Sequence, residues 1–466
     1  MYRERIIDPT NVAEAAGDAA RLAYPLGCYA SASTIRYLFL QREGVLGLAT
    51  VLQNGGSLLS LTGAQPLYDW HEREMRQLQG IRVEGHPDAR PLYFDAESIP
   101  EAVIAEGKGV VAVVVGPVHA GIIEPGRFTI STGGESVVHL DAQLSYSHRG
   151  IERFFEGRDP MTLSWHVSRI CANCTVARSI AYARCVETLA DVRVDEAGEL
   201  VRLIFAEIER LHVHLFDLGS ASAGAGYGRG TTTALRLREQ INRIAEEHGG
   251  SRVLFDIIQP GGIRSGALSD PRALRSQLRA LRGDVERFLK ELFGKRSVVH
   301  RFKGAGIISE PLARRYGAVG PSARACGIAL DVRSHAPYGA YRDIAVESVV
   351  GRDGDVYARC EIRRREIAAS FDLLERAFER LGERPPGAPQ VLVPREGVVT
   401  CAVEGARGAE SISLEVDSDG RVARLHVISA AYRNWPLVAR AMEDNIVPDF
   451  PLVNKSFNLC YSCVDR

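Results

Sequence analysis

The spacing of apolar positions changes character along the chain and divides it into a few segments. Residues 1 to about 98 combine strand-like apolar runs, such as Val45 to Val51, with helical stretches, and predict a small α/β unit. That unit ends in the polar segment YDWHEREMRQLQGIRVEGHPDARPLY, with a boundary expected near Ser98. From 110 to 145 the pattern is that of strands: the run Val110 to Val115, a Gly/Pro-rich loop through Gly126, then Arg127 to Leu140 centred on the turn-like TGGE. Helical spacing dominates from about 160. Arg169 to Val192, Glu199 to Leu218, and Tyr357 to Leu381 each carry apolar residues at helical intervals. A further helix is predicted to start at Ser269, Asp270 and Pro271, where a capping residue precedes a proline in the first turn, and to run to about Phe293. Strands return between Val398 and Ile428, with a turn at Ser418, Asp419 and Gly420. The predicted class is α+β: a small α/β domain, residues 1–98, followed by a mainly helical domain with peripheral β elements, residues 99–466.

With 466 residues and 45% hydrophobic content, the chain can bury a large core. Its 57 basic and 58 acidic residues nearly cancel, which argues against nucleic acid or anionic lipid as a partner and in favour of proteins. The charged start MYRERIIDPTN predicts a chain that is made in the cytoplasm and not exported on its own. The run Val110 to Val115 is far short of the roughly 20 residues of a membrane span, so membrane contact is expected only through partners. GAGYGRG at 224 to 230 follows a helix, not a strand, and so reads as a flexible connection and not as a dinucleotide-binding loop.

Nine cysteines in a reducing compartment point to metal or redox chemistry before disulfides. Cys28, Cys185, Cys326, Cys360 and Cys401 stand alone and read as core packing. The other four form two C-x-x-C pairs, Cys171 and Cys174 in RICANC, and Cys460 and Cys463 in NLCYSC. If the first pair opens the helix expected near Arg169, both sulfurs share one face and the helix dipole favours thiolates, the form in which sulfur binds soft metals. A structural zinc site is the plain alternative. Zinc ribbons, however, space their pairs roughly 15 to 20 residues apart, whereas these two pairs bracket most of the larger domain. A dithiol redox pair is a further reading.

The surroundings of both pairs resemble the large subunits of group 4, energy-converting [NiFe] hydrogenases of the formate hydrogenlyase and hydrogenase-4 type. The resemblance extends more distantly to the quinone-site subunit of respiratory complex I. It is carried by GPVHAGIIEPGRF, LSYSHRGIERFFEG, RICANC, AEIERLHVHLFDLG, GAVGPSARACGIALDVRSHAPYGAY, GDVYARCEIRRREI, VEGARG and DFPLVNKSFNLCYSCVDR, spread over 110 to 466. WHEREMRQLQGIRVEGHPDAR, 70 to 90, is similar to the small peripheral-arm subunit of complex I. The resemblance implies a nickel–iron centre in which nickel is held by Cys171, Cys174, Cys460 and Cys463. Cys174 and Cys463 would bridge to an iron carrying cyanide and carbon monoxide. It also implies Glu124 as a proton relay and Arg407 as a guanidinium over the open metal position. From the residues alone, Glu124 is a solvated loop acid, and Glu404 and Arg407 an ion pair at a strand end. Together, Glu124, Arg407 and Glu404 are the candidate catalytic residues.

More weakly, the resemblance implies His119 as a loop histidine that faces the quinone in the complex I relatives, His148, Arg149 and Glu152 as a structural or proton-path cluster, and Glu207, Glu209 and His214 as a continuation of a proton path. Each also reads as satisfied core or as a solvated or ion-paired face. The implied partners are an Fe–S small subunit and further Fe–S and membrane subunits of a complex I-like assembly. The chain would be peripheral, on the cytoplasmic face of the membrane. The alternative is a non-catalytic complex I-like scaffold whose cysteines hold zinc or nothing.

The chain departs from the family pattern at Ala172, Asn173, Arg178, Ser334, His335, Ala406, Asn458 and Leu459. These changes are expected to gather around the metals and to tune their reactivity.

Overall fold

A computed structural model describes residues 1–466 apart from 54, 55, 96, 120–123 and 385. The fold is α+β. Near the amino terminus, four strands stand in the order Tyr2–Ile6, Gly44–Val51, Thr34–Gln41, Tyr24–Ser31, the first pair parallel and the others antiparallel. Helix Val12–Leu22 lays Val12, Ala16 and Ala19 on the face formed by Cys28, Ile35, Tyr37, Phe39 and Leu48. The polar segment expected at the end of this unit forms helix Asp69–Leu78, whose polar and charged residues from His71 to Glu74 are buried. The reason is tertiary: this helix lies against the rest of the molecule, so Glu74 reaches Tyr432 and Arg466.

The predicted strands after 110 form an antiparallel sheet, Val110–Val115, Arg127–Gly133 and Ser136–Gln143. Its edge strand Val110–Val115 is mostly exposed despite its valines.

Helix Glu196–Gly224 runs through the centre and is buried along nearly its whole length. Asp195 caps it by accepting from the Gly198 amide. Helices Gly228–Gly249, Val356–Leu381 and Phe450–Phe457 pack around it. The last comes so close that a Cβ on Gly224 would lie 2.8 Å from the Leu452 Cα. The glycine-rich stretch at 224 to 230 is not a loose connection, because the next helix already starts at Gly228 and Gly230 packs against Tyr227. A three-stranded antiparallel meander, Gly397–Gly405, Gly408–Val416 and Val422–Ile428, covers helix Thr175–Ala190. No helix among the described residues is long and apolar enough to cross a membrane.

Candidate metal centre

Both C-x-x-C pairs lie in turns at element boundaries. The helix expected from Arg169 is divided: Ser164–Ser168 ends first, and the next helix begins at Thr175, with Cys174 as the residue before it. Between them the Cys174 amide donates to the Cys171 carbonyl (3.2 Å), and Thr175 Oγ1 donates to the same carbonyl (3.1 Å). The pair thus shares a closed turn, not a helix face, because side chains compete for the backbone groups that a continuous helix would use. The helix's free amides at Val176 and Ala177 are satisfied by the Glu209 carboxylate, at 2.6 and 3.1 Å.

The second pair follows Asn458, which ends helix Phe450–Phe457 in a left-handed conformation. Cys171 Sγ lies 3.2 Å from Cys460 Sγ, and Cys463 Sγ 4.0 Å from Cys174 Sγ. All four sulfurs are within 4.8 Å of one another and buried, and no cysteine is in a disulfide.

Two guanidiniums flank this cluster. Arg407 Nη1 donates to Cys460 Sγ at 2.7 Å, and its Nη2 donates to Asp217 Oδ1 at 2.7 Å. Asp217 also accepts from Arg363 (3.1 Å) and from Asn458 Nδ2 (2.7 Å). Arg178 Nη2 donates to Cys463 Sγ at 3.2 Å and to Glu410 at 2.8 Å. Arg149 fastens the two cysteine turns to each other, donating to the carbonyls of Ile170 (3.0 Å) and Ser462 (2.6 Å). The Arg407 turn depends on glycine: Gly320 has φ +63°, and a Cβ there would fall 2.2 Å from the Arg407 carbonyl.

The other candidates are placed differently. Glu404 does not pair with Arg407. It accepts from Arg324 (2.8 Å) and the Val332 amide (3.0 Å), because Arg407 sits within the tight turn at 405–408 and directs its guanidinium to Asp217. Glu124 is exposed, and residues 120–123 of its loop lie outside the described residues. Its charge is felt by Tyr461 and Asp465, which flank the second pair, but no hydrogen bond joins it to a sulfur among the described residues. The Gly126 carbonyl is 2.7 Å from His119 Nε2. His148 packs at a tilt against Tyr93, with ring centroids 4.0 Å apart.

Glu207, Glu209 and His214 are buried and not solvated. Glu207 binds Arg333 and Tyr341, and His214 Nε2 lies 2.8 Å from Glu366. Of the departures, Asn173, Arg178 and Asn458 touch the sulfurs or Asp217. Ser334 and His335 do not join them. They lie on a short helix beside Arg42 of the N-terminal sheet, since the polypeptide turns away after Asp331.

Sequence reading missed Asp217, Glu410 and Arg149 as a clamp. The available signal for Asp217 was a lone acid between Phe216 and Leu218 in an otherwise apolar turn.

Four ionisable thiols in one dry space need positive charge. Against the cost of burial, Asp217 and the Cys460 sulfur hold the Arg407 guanidinium well above its ordinary value. Burial, with the nearby Cys171 and Glu410, pushes the Glu209 carboxyl up to about 7 despite its two amide donors. The donor set fits a thiophilic metal, because metal–sulfur bonds of about 2.3 Å place neighbouring sulfurs ~3.3 to 3.8 Å apart. Nε and Nη1 of the wholly buried Arg178 have no acceptor among the described residues, which leaves hydrogen-bonding capacity for a bound group. A second set of metal-ligating side chains, Glu74, Glu152 and His426, is already paired with Arg466, whose Nε and Nη2 donate to Glu152 and Glu74 at 2.7 Å each, and with Arg424, which donates to Glu152 at 3.0 Å.

Family comparison agrees with this architecture. The model for "Respiratory-chain NADH dehydrogenase, 49 Kd subunit" matches residues 225–394 and 388–466. The model for "Nickel-dependent hydrogenase" matches 149–219, which includes the first cysteine pair, and that for "Respiratory-chain NADH dehydrogenase, 30 Kd subunit" matches 15–102. Formate hydrogenlyase subunit 5 of Escherichia coli is 29% identical over 87% of this chain and 76% of its own length. An NADH-quinone oxidoreductase subunit of Clostridium beijerinckii is 30% identical over 75% of this chain and 96% of its own length. Among solved structures, a chain of the membrane-bound sulfane sulfur reductase, an archaeal respiratory membrane complex, superimposes with a TM-score of 0.71. It is 25% identical, covering 77% of this chain and 99% of that one. With its sulfur pairs, its central helix and matches along most of its length, the chain belongs to the family that joins group 4 [NiFe] hydrogenase large subunits to the 49 kDa subunit of complex I.

Proposed function

We propose that this chain is the metal-carrying subunit of a hydrogenase-like complex that evolves or oxidises dihydrogen. The observation that supports this most is the meeting of four buried sulfurs from opposite ends of the larger domain, under Arg407. Cys171, Cys174, Cys460 and Cys463 would hold the nickel and iron of such a centre. When bound, that centre supplies heterolytic cleavage of dihydrogen and takes up its electrons.

The chain's own residues do the rest. Arg407, fixed by Asp217, directs a permanent positive charge at Cys460 and orients what binds beside it. Arg178 supports Cys463 from the other side. Buried Trp435 donates to the Cys460 carbonyl at 3.3 Å and helps keep water out. Glu124 would exchange protons between this region and solvent, by way of the Tyr461 and Asp465 side of the tail.

Among the described residues no other group of three or more cysteines comes together, so electrons must leave through an Fe–S partner subunit. In this reading residues 1–98 are a peripheral-arm domain fused ahead of the metal-carrying domain, and further partners hold the assembly at the cytoplasmic face of the membrane. Arg178 at a sulfur, one of the departures from the family pattern, favours a second reading, a scaffold whose cysteines hold zinc.

Metal analysis and infrared spectroscopy of the purified complex separate the two. Nickel with iron, and bands of bound CO and cyanide, are expected; zinc alone overturns the hydrogenase reading. Cys463→Ala is expected to lose both metals and all dihydrogen-dependent dye reduction, and unchanged activity would remove Cys463 from the site.

A further inference from the structure

We propose that Cys401 and Cys185 form a thiol–disulfide exchange site, distinct from the four clustered sulfurs, that accepts a small disulfide from a surface cavity. Strand Gly397–Gly405 lies against helix Thr175–Ala190, and two glycines show which of its positions face that helix. A Cβ on Gly397 would fall 3.2 Å from Leu189 Cδ2, and one on Gly405 3.5 Å from Ala177 Cβ. Alternation along the strand turns Cys401, midway between them, to the same side. Cys185, on the middle of the facing helix, directs its Sγ to the Ile412 carbonyl at 3.3 Å. Ile412 is the residue paired directly across the ladder from Cys401. The two thiols are therefore neighbours across the helix–sheet interface.

Their surroundings differ in the way an attacking and a resolving thiol require. Cys185 is wholly buried, whereas Cys401 is partly exposed and lines a cavity of about 470 Å³ together with Arg42, Arg184, Thr188, Glu199 and Tyr338. The Cys185 thiol beside it holds the Cys401 thiol below its ordinary value, against burial and with help from the Arg184 guanidinium. Burial pushes the Cys185 thiol well up. A thiol that ionises more easily and faces a cavity is the one that attacks.

In the first step the Cys401 sulfur attacks a disulfide RSSR, forming Cys401–S–SR and releasing RSH. In the second, the Cys185 sulfur attacks the Cys401 sulfur, and the leaving thiolate takes the Cys185 proton, giving a Cys185–Cys401 disulfide and a second RSH. The entering disulfide is reduced and the protein pair is oxidised. The link would fasten the helix that carries Arg178 to the strand that leads to Arg407. It does not depend on which metal the clustered sulfurs hold.

The test is incubation of the full chain with glutathione disulfide, quenching by alkylation, and mapping of non-reduced peptides. A Cys185–Cys401 linkage reversed by dithiothreitol is expected, forming at least about tenfold faster than adducts on buried Cys28, Cys326 or Cys360. In Cys185→Ala, Cys401 is expected to retain glutathione as a stable mixed disulfide. An unmodified Cys401 in both proteins overturns the proposal. So does a glutathione adduct on wild-type Cys401 that persists without linkage to Cys185.

Discussion

Arg407 and Asp217 show how one residue's chemistry is set by partners far along the chain. A guanidinium is useful over a metal only if it is held in one place, and Asp217, itself fixed by Arg363 and Asn458, holds it. Arg407→Lys keeps the charge but loses the fork that reaches carboxylate and sulfur together. Metal content should be unchanged, and dihydrogen-dependent dye reduction should fall roughly 100-fold. Full activity in the lysine variant would remove Arg407 from this role.

His212 is a second case. Burial, reinforced by the nearby cations Arg238 and Arg407, lowers its imidazole from 6.5 to about 3. The unfolded chain therefore binds a proton at this residue between those values and the folded chain does not. This contribution to stability is complete above pH 6.5 and is lost as the pH falls toward 3, by up to about 1.4 kcal/mol per pH unit. Urea midpoints of wild type and His212→Gln, compared across that window, should show a shallower acid slope in the variant.

Among the elements, the long helices follow their apolar spacing because each buries a wide face, as Glu196–Gly224 does almost all round. Short ones such as Gly320–Ala325 and Val332–His335 have too few turns to show a period, and their positions are set by neighbours. The Gly320 approach to the Arg407 turn belongs to this scale. Gly320→Ala must place a Cβ 2.2 Å from a carbonyl oxygen at φ +63°. A loss of about 3 kcal/mol in urea unfolding is expected, with displacement of the Arg407 turn and weaker metal retention. A variant as stable as wild type would show that the turn adapts.

Across the whole molecule, the N-terminal unit and the C-terminal tail are tied together through buried charge. Leu26, Tyr29, Trp70 and Tyr93 share a core with Phe128, Val167 and Trp435 from later in the chain, and Glu74 accepts from Tyr93, Tyr432 and Arg466. Arg466 is three residues beyond Cys463, so the N-terminal helix Asp69–Leu78 helps to seat a cysteine turn. Glu74→Ala leaves part of a buried guanidinium unpaired, and a loss of about 3 kcal/mol is expected in thermal or chemical unfolding. Faster metal release on dialysis should accompany it, whereas wild-type retention would limit Glu74 to a role in stability alone.

By itself the sequence determined what local pattern can encode. It carried the α+β class through its two periodicities, the last C-terminal hairpin through its turn residues, and the four thiols through their paired spacing and motif context. It could not show where charged side chains end their reach. Glu404 and Arg407 are close in sequence yet turn to different partners, while Arg407 and Asp217 are far apart in sequence and in contact. Only the tertiary structure decided the partners of Arg178, the clamp at Arg149, the burial of Glu207 and Glu209, and the placement of Cys185 beside Cys401. The physical reason is that a buried charge or thiol takes its properties from whatever the fold brings within a few ångströms, and those neighbours come from distant parts of the chain.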